Sequence, residues 1–322
     1  MRSAALRIAL CLLAAAGLAA SAAAQVAVPK TIRIVVPFSA GGSNDVIARA
    51  IAVPLARRLD ATVIVENKAG AAGVLGSDYV AKSPRDGSVL LLTSSSFLTA
   101  AATQKQLPYD PIAGFAPVAM IGKGPMLLVV PATTSWKTPA DLIETARAKP
   151  GVLNYGTAGV GSIAHLASEM LDDAAKIRMI HVPYKGAANA VVDLAGGQIQ
   201  AMISNYSTVA PLLKGGKLRA LAVTSATAHA AFPELPPLAV AAPGFAATIW
   251  VGVFAPAGTP AAIVDRLNQE INAIAASPEL TPLLEPDGTL PEAISAATFA
   301  SRIKDELGQW KQIAADHKIV AE

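Results

Sequence analysis

The run Ile32-Arg33-Ile34-Val35-Val36-Pro37-Phe38-Ser39-Ala40-Gly41-Gly42-Ser43-Asn44-Asp45 passes from a β-rich stretch through paired glycines into an alanine-rich helical pattern. Strand, glycine turn and helix in that order form the repeating unit of α/β proteins. Gly41 and Gly42 let backbone N–H groups approach a ligand closely, and the helix beyond presents unpaired N–H donors and partial positive charge. Such a turn holds a carboxylate without any lysine or arginine. A tight strand-to-helix turn with Ser43 or Asn44 as a simple cap accounts for the same residues equally well. With neither Gly-Lys-Ser/Thr nor Gly-x-Gly-x-x-Gly at this place, a nucleotide is excluded as the object of the turn.

The device recurs at Gly156-Thr157-Ala158-Gly159-Val160-Gly161-Ser162. In the helix that follows, Ile163, Leu166, Ala167, Met170, Leu171 and Ala174 share one apolar face. His165 lies about 200° round from Ile163 and is expected to face solvent or a cleft. In a first helical turn it serves better as a neutral hydrogen-bonding group than as a cation. Two such turns on the halves of a two-lobed protein suit a ligand with two acceptor groups. Tyr184, Lys185 and Gly186 follow the strand Met179–Val182, and Asn205 follows Ile199–Ser204, so both sets stand at strand carboxyl ends, where α/β ligands lie; Lys185 reads equally well as a surface lysine. For Gly70-Ala71-Ala72-Gly73-Val74-Leu75-Gly76, close helix–sheet packing is the expected cause of the glycines.

Working outward, 322 residues are too many for one compact core and predict two lobes. Further strands are expected at Thr62–Val65, Val89–Thr93, Met126–Val130, Val152–Tyr155, Leu218–Thr224 and Ile249–Phe254, in largely parallel sheets. Helices are expected near Asn44–Leu59, Val74–Ala81, Pro139–Ala148, Ser162–Ala175, Ala187–Leu194, Thr208–Leu213, Pro260–Ala275 and Ala297–Ala314. Pro54 should kink the first of these or end it early. No linker divides two consecutive domains, so the chain is expected to cross between lobes through extended segments such as Met120–Val130 and Ala222–Ser225.

Composition removes several function classes. Net charge is +3, from 26 basic and 23 acidic residues, and no basic stripe exists to neutralise successive phosphates, so nucleic acid is not an expected partner. The single cysteine, Cys11, permits no intrachain disulfide and no cysteine metal cluster. His165, His181, His229 and His317 show no metal spacing, and Asp172-Asp173 reads as a solvated helix face. Neither a metal nor a cofactor is expected. A hydrolase built on Ser162 lacks the Gly-x-Ser-x-Gly elbow, leaving no expected catalytic residue. At the N-terminus, Arg2 and Arg7, an apolar run from Ile8 to Ala20 and the small residues Ser21 to Ala24 make a secretory signal peptide over residues 1–24. A lipoprotein signal at Cys11 is the rival reading, but Leu10 stands where a small residue is needed.

Several ordered motifs carry a family likeness: Pro37-Phe38-x-x-Gly41-Gly42-x-x-Asp45-x-x-Ala48-Arg49, Val65-Glu66-Asn67-Lys68-x-Gly70-Ala71-x-Gly73-x-x-Gly76, Gly159-x-Gly161-Ser162-x-x-His165-Leu166 and His181-Val182-Pro183-Tyr184-Lys185-Gly186. Together they resemble the Bug receptors, extracytoplasmic solute-binding proteins of tripartite tricarboxylate transporters. The resemblance implies an α/β, type II periplasmic-binding-protein fold with a hinged cleft between two lobes. Residues 25–125 and 226–322 would form one lobe and 126–225 the other. It implies a monomeric, periplasmic, non-enzymatic receptor for a small carboxylate (a dicarboxylate, acidic amino acid or aromatic acid), with membrane transporter subunits as partners or, alternatively, a sensor domain. Ligand contacts would come from Ser39, Ala40, Gly41, Gly42, Ser43, Asn44 and Asp45, from Thr157, Ala158, Gly159, Val160, Gly161, Ser162 and His165, and from Tyr184, Lys185, Gly186 and Asn205. The chain departs from the family pattern at Pro54, at Ala239-Val240-Ala241-Ala242, and at Glu285-Pro286-Asp287-Gly288, which replaces a Leu-Gly stretch.

Overall fold

Short runs of Val, Ile and Leu that alternate with helical patterns fold into two mixed sheets, each covered by helices. The structure is a computed structural model describing residues 28–320; the signal peptide expected at 1–24 lies outside the described residues. One sheet takes β1 (Thr31–Val36), β2 (Thr62–Asn67), β3 (Val89–Ser94), β4 (Phe115–Gly124), β10 (Ile249–Pro256) and β11 (Leu290–Pro291), in the order β11-β4-β10-β3-β1-β2. The other takes β5 (Leu127–Pro131), β6 (Asn154–Thr157), β7 (Ile180–Pro183), β8 (Ala201–Ser204) and β9 (Leu218–Val223), in the order β7-β6-β8-β5-β9. The helices are α1 (Ser43–Leu59), α2 (Val74–Ala81), α3 (Ser96–Thr103), α4 (Pro139–Ala148), α5 (Ile163–Ala175), α6 (Ala187–Ala195), α7 (Tyr206–Lys214), α8 (Ala261–Ala275), α9 (Thr281–Leu284) and α10 (Ala296–Asp316).

The sheets are less parallel than the alternating pattern suggests. β1 is parallel to β2 and β3, and β6 to β7 and β8, but β10 runs antiparallel to β3 and β4, and β5 to β8 and β9. The antiparallel pairs arise where the chain passes between sheets, because β4 runs almost directly into β5 and the 224–248 segment returns from β9 to β10. At this junction Met126 N donates to Thr224 Oγ1 (2.8 Å), Thr224 N to Met126 O (2.9 Å) and Ala247 N to Thr224 O (2.9 Å). Two extended segments thus lie clipped together where the chain passes between the sheets.

Pro54 does not end α1, which continues to Leu59. Proline deletes the single rung to the Ala50 carbonyl, while Ile47, Ile51, Leu55 and Leu59 remain buried and hold the helix to the sheet. The first lobe is tied by an aromatic group that uses much of the chain's 5% aromatic content. Phe97 meets Phe115 and Phe254 at centroid distances of 5.0 Å each, and Phe299 of α10 meets Phe254 at 5.3 Å and Trp250 at 5.6 Å. These contacts set α3 and α10 against β10, and so place the start of α3 at the end of β3.

The glycines before α2 do serve close packing. A Cβ on Gly76 would stand 2.8 Å from the Lys68 carbonyl oxygen and 2.8 Å from Pro37 Cβ. The substitution Gly76→Ala is therefore expected to destabilise the fold by about 1–3 kcal/mol and to displace the Pro37-Phe38 turn. Denaturant unfolding measures the first effect; an unchanged midpoint would show that the turn yields without cost.

Candidate functional site

Five helices begin around one cavity of ≈ 60 Å³ between the two sheets. Gly42, Ser43, Asn44 and Asp45 come from the start of α1, Ser94 and Ser96 from that of α3, Ser162, Ile163 and Ala164 from α5, Ala187 from α6, and Asn205 and Thr208 from α7. Each helix follows the carboxyl end of its strand, the place where α/β folds put ligands. Phe38, Met126, Ile203 and Ile249 complete the wall with apolar surface. No lysine or arginine lines the cavity.

The one acid in the wall is already engaged. Asp45 Oδ2 accepts from Gly41 N (2.9 Å) and Arg49 Nε (3.1 Å), and Oδ1 accepts from Asn67 Nδ2 (3.0 Å) and pairs with Arg49 (2.9 Å). Burial by itself would raise this carboxyl, but the bonds from Arg49, Gly41 and Asn67, with the Arg49 charge, outweigh it and hold the pKa below the ordinary value. The bond to Asp45 closes the loop over Gly41, whose φ of +82° lies in the left-handed region open to glycine.

The free valences of the cavity are mostly donors. A helix cannot satisfy its own first-turn amides, and two of them here find hydroxyls across the cleft: Ser43 N donates to Thr208 Oγ1 (3.0 Å) and Ile163 N to Ser96 Oγ (3.2 Å). Asn44, Asp45 and Ala164 follow with amides that have no acceptor within their helices. Two side-chain hydroxyls in the wall, Ser43 Oγ and Ser204 Oγ, are buried without a hydrogen-bond partner. Such a set is complemented by acceptor oxygens carrying negative charge.

Beneath the second loop lie two histidines. Gly161 N donates to His165 Nδ1 (3.1 Å), and His181 Nε2 meets Thr157 Oγ1 (2.6 Å), which also accepts from Gly159 N (3.1 Å). The two imidazoles stack at a centroid distance of 3.9 Å, and Tyr155, hydrogen-bonded to Glu169, stacks on His181 at 5.1 Å. Burial lowers the His165 pKa to about 4; burial, with the His165 charge, lowers that of His181 to about 3. Both rings are neutral at physiological pH, and His165 is buried rather than turned to solvent or the cavity.

Of the residues expected at the site, Gly42, Ser43, Asn44, Asp45, Ala158, Ser162 and Asn205 line the cavity. Ser39, Ala40, Gly41, Thr157, Gly161 and His165 stand behind it as the fabric of the two loops. Gly159, Val160, Tyr184 and Lys185 instead border a separate groove of ≈ 610 Å³ with Ala71, Ala72 and Gln104. Gly186 is a point of close approach, since a Cβ there would lie 2.1 Å from Ser39 Oγ. Asp172 also departs from expectation: it is buried, accepts from Met179 N (2.7 Å), and is raised to about 7 by burial and by the nearby Glu169 and Asp173. The sequence reading overlooked Ser94, Ser96 and Thr208, although Ser94-Ser95-Ser96 at the end of an apolar strand was the available signal.

The cavity thus lies between two α/β lobes and is walled by helix starts, the place where α/β folds hold ligands. Ser162 Oγ accepts from His165 N (3.4 Å), and Nδ1 of that histidine is taken by Gly161 N (3.1 Å). Residues 47–319 match the family described as "Tripartite tricarboxylate transporter family receptor", and the chain belongs to that family. Three solved structures are similar over most of their length. The periplasmic binding protein BugD is 30% identical, with a TM-score of 0.86 over 91% of this chain and 99% of its own. Rpa4515 of R. palustris with adipate is 34% identical, with a TM-score of 0.86 over 90% and 98%. MatC of Rhodopseudomonas palustris with bound malate is 29% identical, with a TM-score of 0.83 over 88% and 98%. The fold is that of periplasmic binding proteins, and the chain is a non-enzymatic receptor.

The histidine stack makes stability depend on pH. Its folded pKa values lie below the unfolded 6.5, so the stack's stability is present above pH 6.5 and is lost as pH falls toward 4 and 3. Asp172 acts oppositely, since its folded pKa near 7 exceeds the unfolded 3.8 and it gains stability over that window on acidification, offsetting one of the two imidazoles. Wild type should therefore lose its advantage over His181→Gln by roughly 1 kcal/mol per pH unit between pH 6 and pH 4. Urea titrations of both proteins at several pH values check this; a difference that does not change with pH contradicts it.

Proposed function

We propose that the protein is exported to the periplasm, with residues 1–24 as its signal peptide, and acts there as a monomer that closes around a small organic carboxylate. Residues 25–125 with 226–322 make one lobe of this reading and 126–225 the other, turning about the Met126 and Thr224 junction. The bound solute is delivered to membrane subunits of a tripartite tricarboxylate-type transporter. The observation that carries the proposal is the convergence of five helix starts and two unpartnered serine hydroxyls on a cavity without a cationic side chain. Adipate and malate in the two R. palustris structures are ligands of the same chemical class.

In this reading one carboxylate sits between the amides of Asn44 and Asp45 and the start of α5 at Ser162 to Ala164, with Asn205 toward the other end. The Gly41-Gly42 and Gly159-Val160-Gly161 loops position the helix starts, and Tyr184 and Lys185 line the outer groove beyond them. Charge-assisted hydrogen bonds of this kind contribute about 1.5–3 kcal/mol each, so a few of them suffice without an ion pair.

Calorimetric titration against monocarboxylates, dicarboxylates and acidic amino acids tests the reading. At least one acid should bind, and Ser43→Ala and Ser204→Ala should each weaken it by about 3–10-fold. Tight binding of a neutral sugar or a metal ion, with no response to any acid, would rule the proposal out.

A further inference from the structure

Among the described residues, every lysine or arginine that pairs with a carboxylate belongs to the first lobe. The second lobe keeps its cations out of ion pairs, and four of them stand together. Arg147 and Lys149 close the carboxyl end of α4, and Lys176 and Arg178 follow that of α5. The two ends are joined. Arg147 Nη2 donates to Ala175 O (2.7 Å), Gly151 N to Arg178 O (2.8 Å) and Ile180 N to Leu153 O (2.8 Å). All four cationic residues are exposed. On the same joined segments the fold leaves two aliphatic residues in water, Val152 at 60% exposure and Ile180 at 46%.

The acids of these two helices do little to offset the patch. Asp141 caps the far end of α4, Glu169 bonds Tyr155, Asp172 is buried against Met179 N, and Asp173 pairs with His317. Glu144, one turn before Arg147, is the one acid of α4 and α5 without a partner among the described residues. Cations at a helix end offset its partial negative charge, which accounts for one on each helix. It does not account for four, nor for aliphatic side chains left in water among them. Lys176 also holds φ +52°, at a place after a helix where glycine is favoured, so a charge is kept there against the backbone preference.

The patch lies before β6 and β7. Ala158 and Ala187, which line the cavity, follow those same strands at their other end. A surface held at this pole therefore leaves the cavity uncovered.

We propose that this pole of the second lobe docks the protein on an anionic lipid surface. Headgroup phosphates take the four cations, and the apolar boundary beneath them takes Val152 and Ile180, the mixture of charge and aliphatic surface that an interfacial site needs. An acidic, polar segment of a protein would meet the charges but not the aliphatic pair. For an exported receptor, docking here concentrates the protein beside the membrane without closing off the cleft. The proposal goes beyond the solute-receptor reading and does not depend on which acid is bound.

Co-sedimentation of the exported chain with vesicles tests it, using equimolar phosphatidylglycerol and phosphatidylcholine against phosphatidylcholine alone. A cation near an anionic surface contributes about fivefold in affinity, so the anionic vesicles should bind at least about tenfold better. Raised salt should abolish the difference. The variant Lys149→Gln/Lys176→Asn/Arg178→Gln, which spares the Arg147 bond to Ala175, should lose at least about tenfold. Lys105→Gln/Lys304→Gln/Lys311→Gln removes the same charge from exposed lysines of the first lobe and should lose less than about twofold. Thermal melting followed by circular dichroism checks that each variant is folded. A wild type that binds both kinds of vesicle alike overturns the proposal whether or not the variants fold. Equal losses in the two triple variants also overturn it, since they mark net charge only. So does capture by polyglutamate without binding to vesicles, which marks an acidic protein partner instead.

Discussion

A helix cannot pair the N–H groups of its first turn, and a folded protein that buries them must supply an acceptor from elsewhere or leave the place for a ligand. Here five helices start at one narrow space between two sheets, so this requirement is imposed five times over a few ångströms. The short strands set where the helices begin, and glycines at 41, 42, 159 and 161 let their loops turn tightly enough to aim the amides inward. Near-neutral composition is compatible with the same arrangement, because helix starts carry partial positive charge without lysine or arginine.

The closed arrangement of the lobes also uses these groups. Ser43 N reaches Thr208, Ile163 N reaches Ser96, and Ser207 N reaches Asp287, each donor and acceptor coming from opposite lobes. Helix starts that would be exposed to water when the lobes part are thus paired when they meet. In the proposed reading the amides beyond them, at Asn44, Asp45 and Ala164, are left for the solute, and its binding would be coupled to closure. The clip between Met126 and Thr224 stands where the proposed hinge would turn.

How much of this was legible in the sequence depended on whether a residue's role was local. Gly41-Gly42 and Gly159-Val160-Gly161 could be read because a strand, a glycine turn and a helix are contiguous in sequence and their geometry demands glycine. Helix α3 could not be, since seven of its eight residues are buried and a helix hydrophobic all round shows no period. His165 was correctly set off the apolar face of α5, yet what covers it is His181 from a neighbouring strand, which no helical projection contains. Asp172 and Asp287 misled or escaped notice for the same reason: a carboxylate's burial is decided by partners distant in sequence or from another element. The antiparallel strands at the crossing were likewise invisible, because alternation of strands and helices does not reveal which sheet receives the next strand.

The account turns on the claim that backbone amides at helix starts, not cationic side chains, hold the solute's charge. A crystal structure of the protein with its tightest-binding acid tests that most directly. The carboxylate oxygens should lie within hydrogen-bonding distance of the amides of Asn44 or Asp45 and of Ala164, with Ser43 Oγ as a further donor. A carboxylate found instead against Lys185 in the outer groove, or paired with Arg49 after displacement of Asp45, would contradict it.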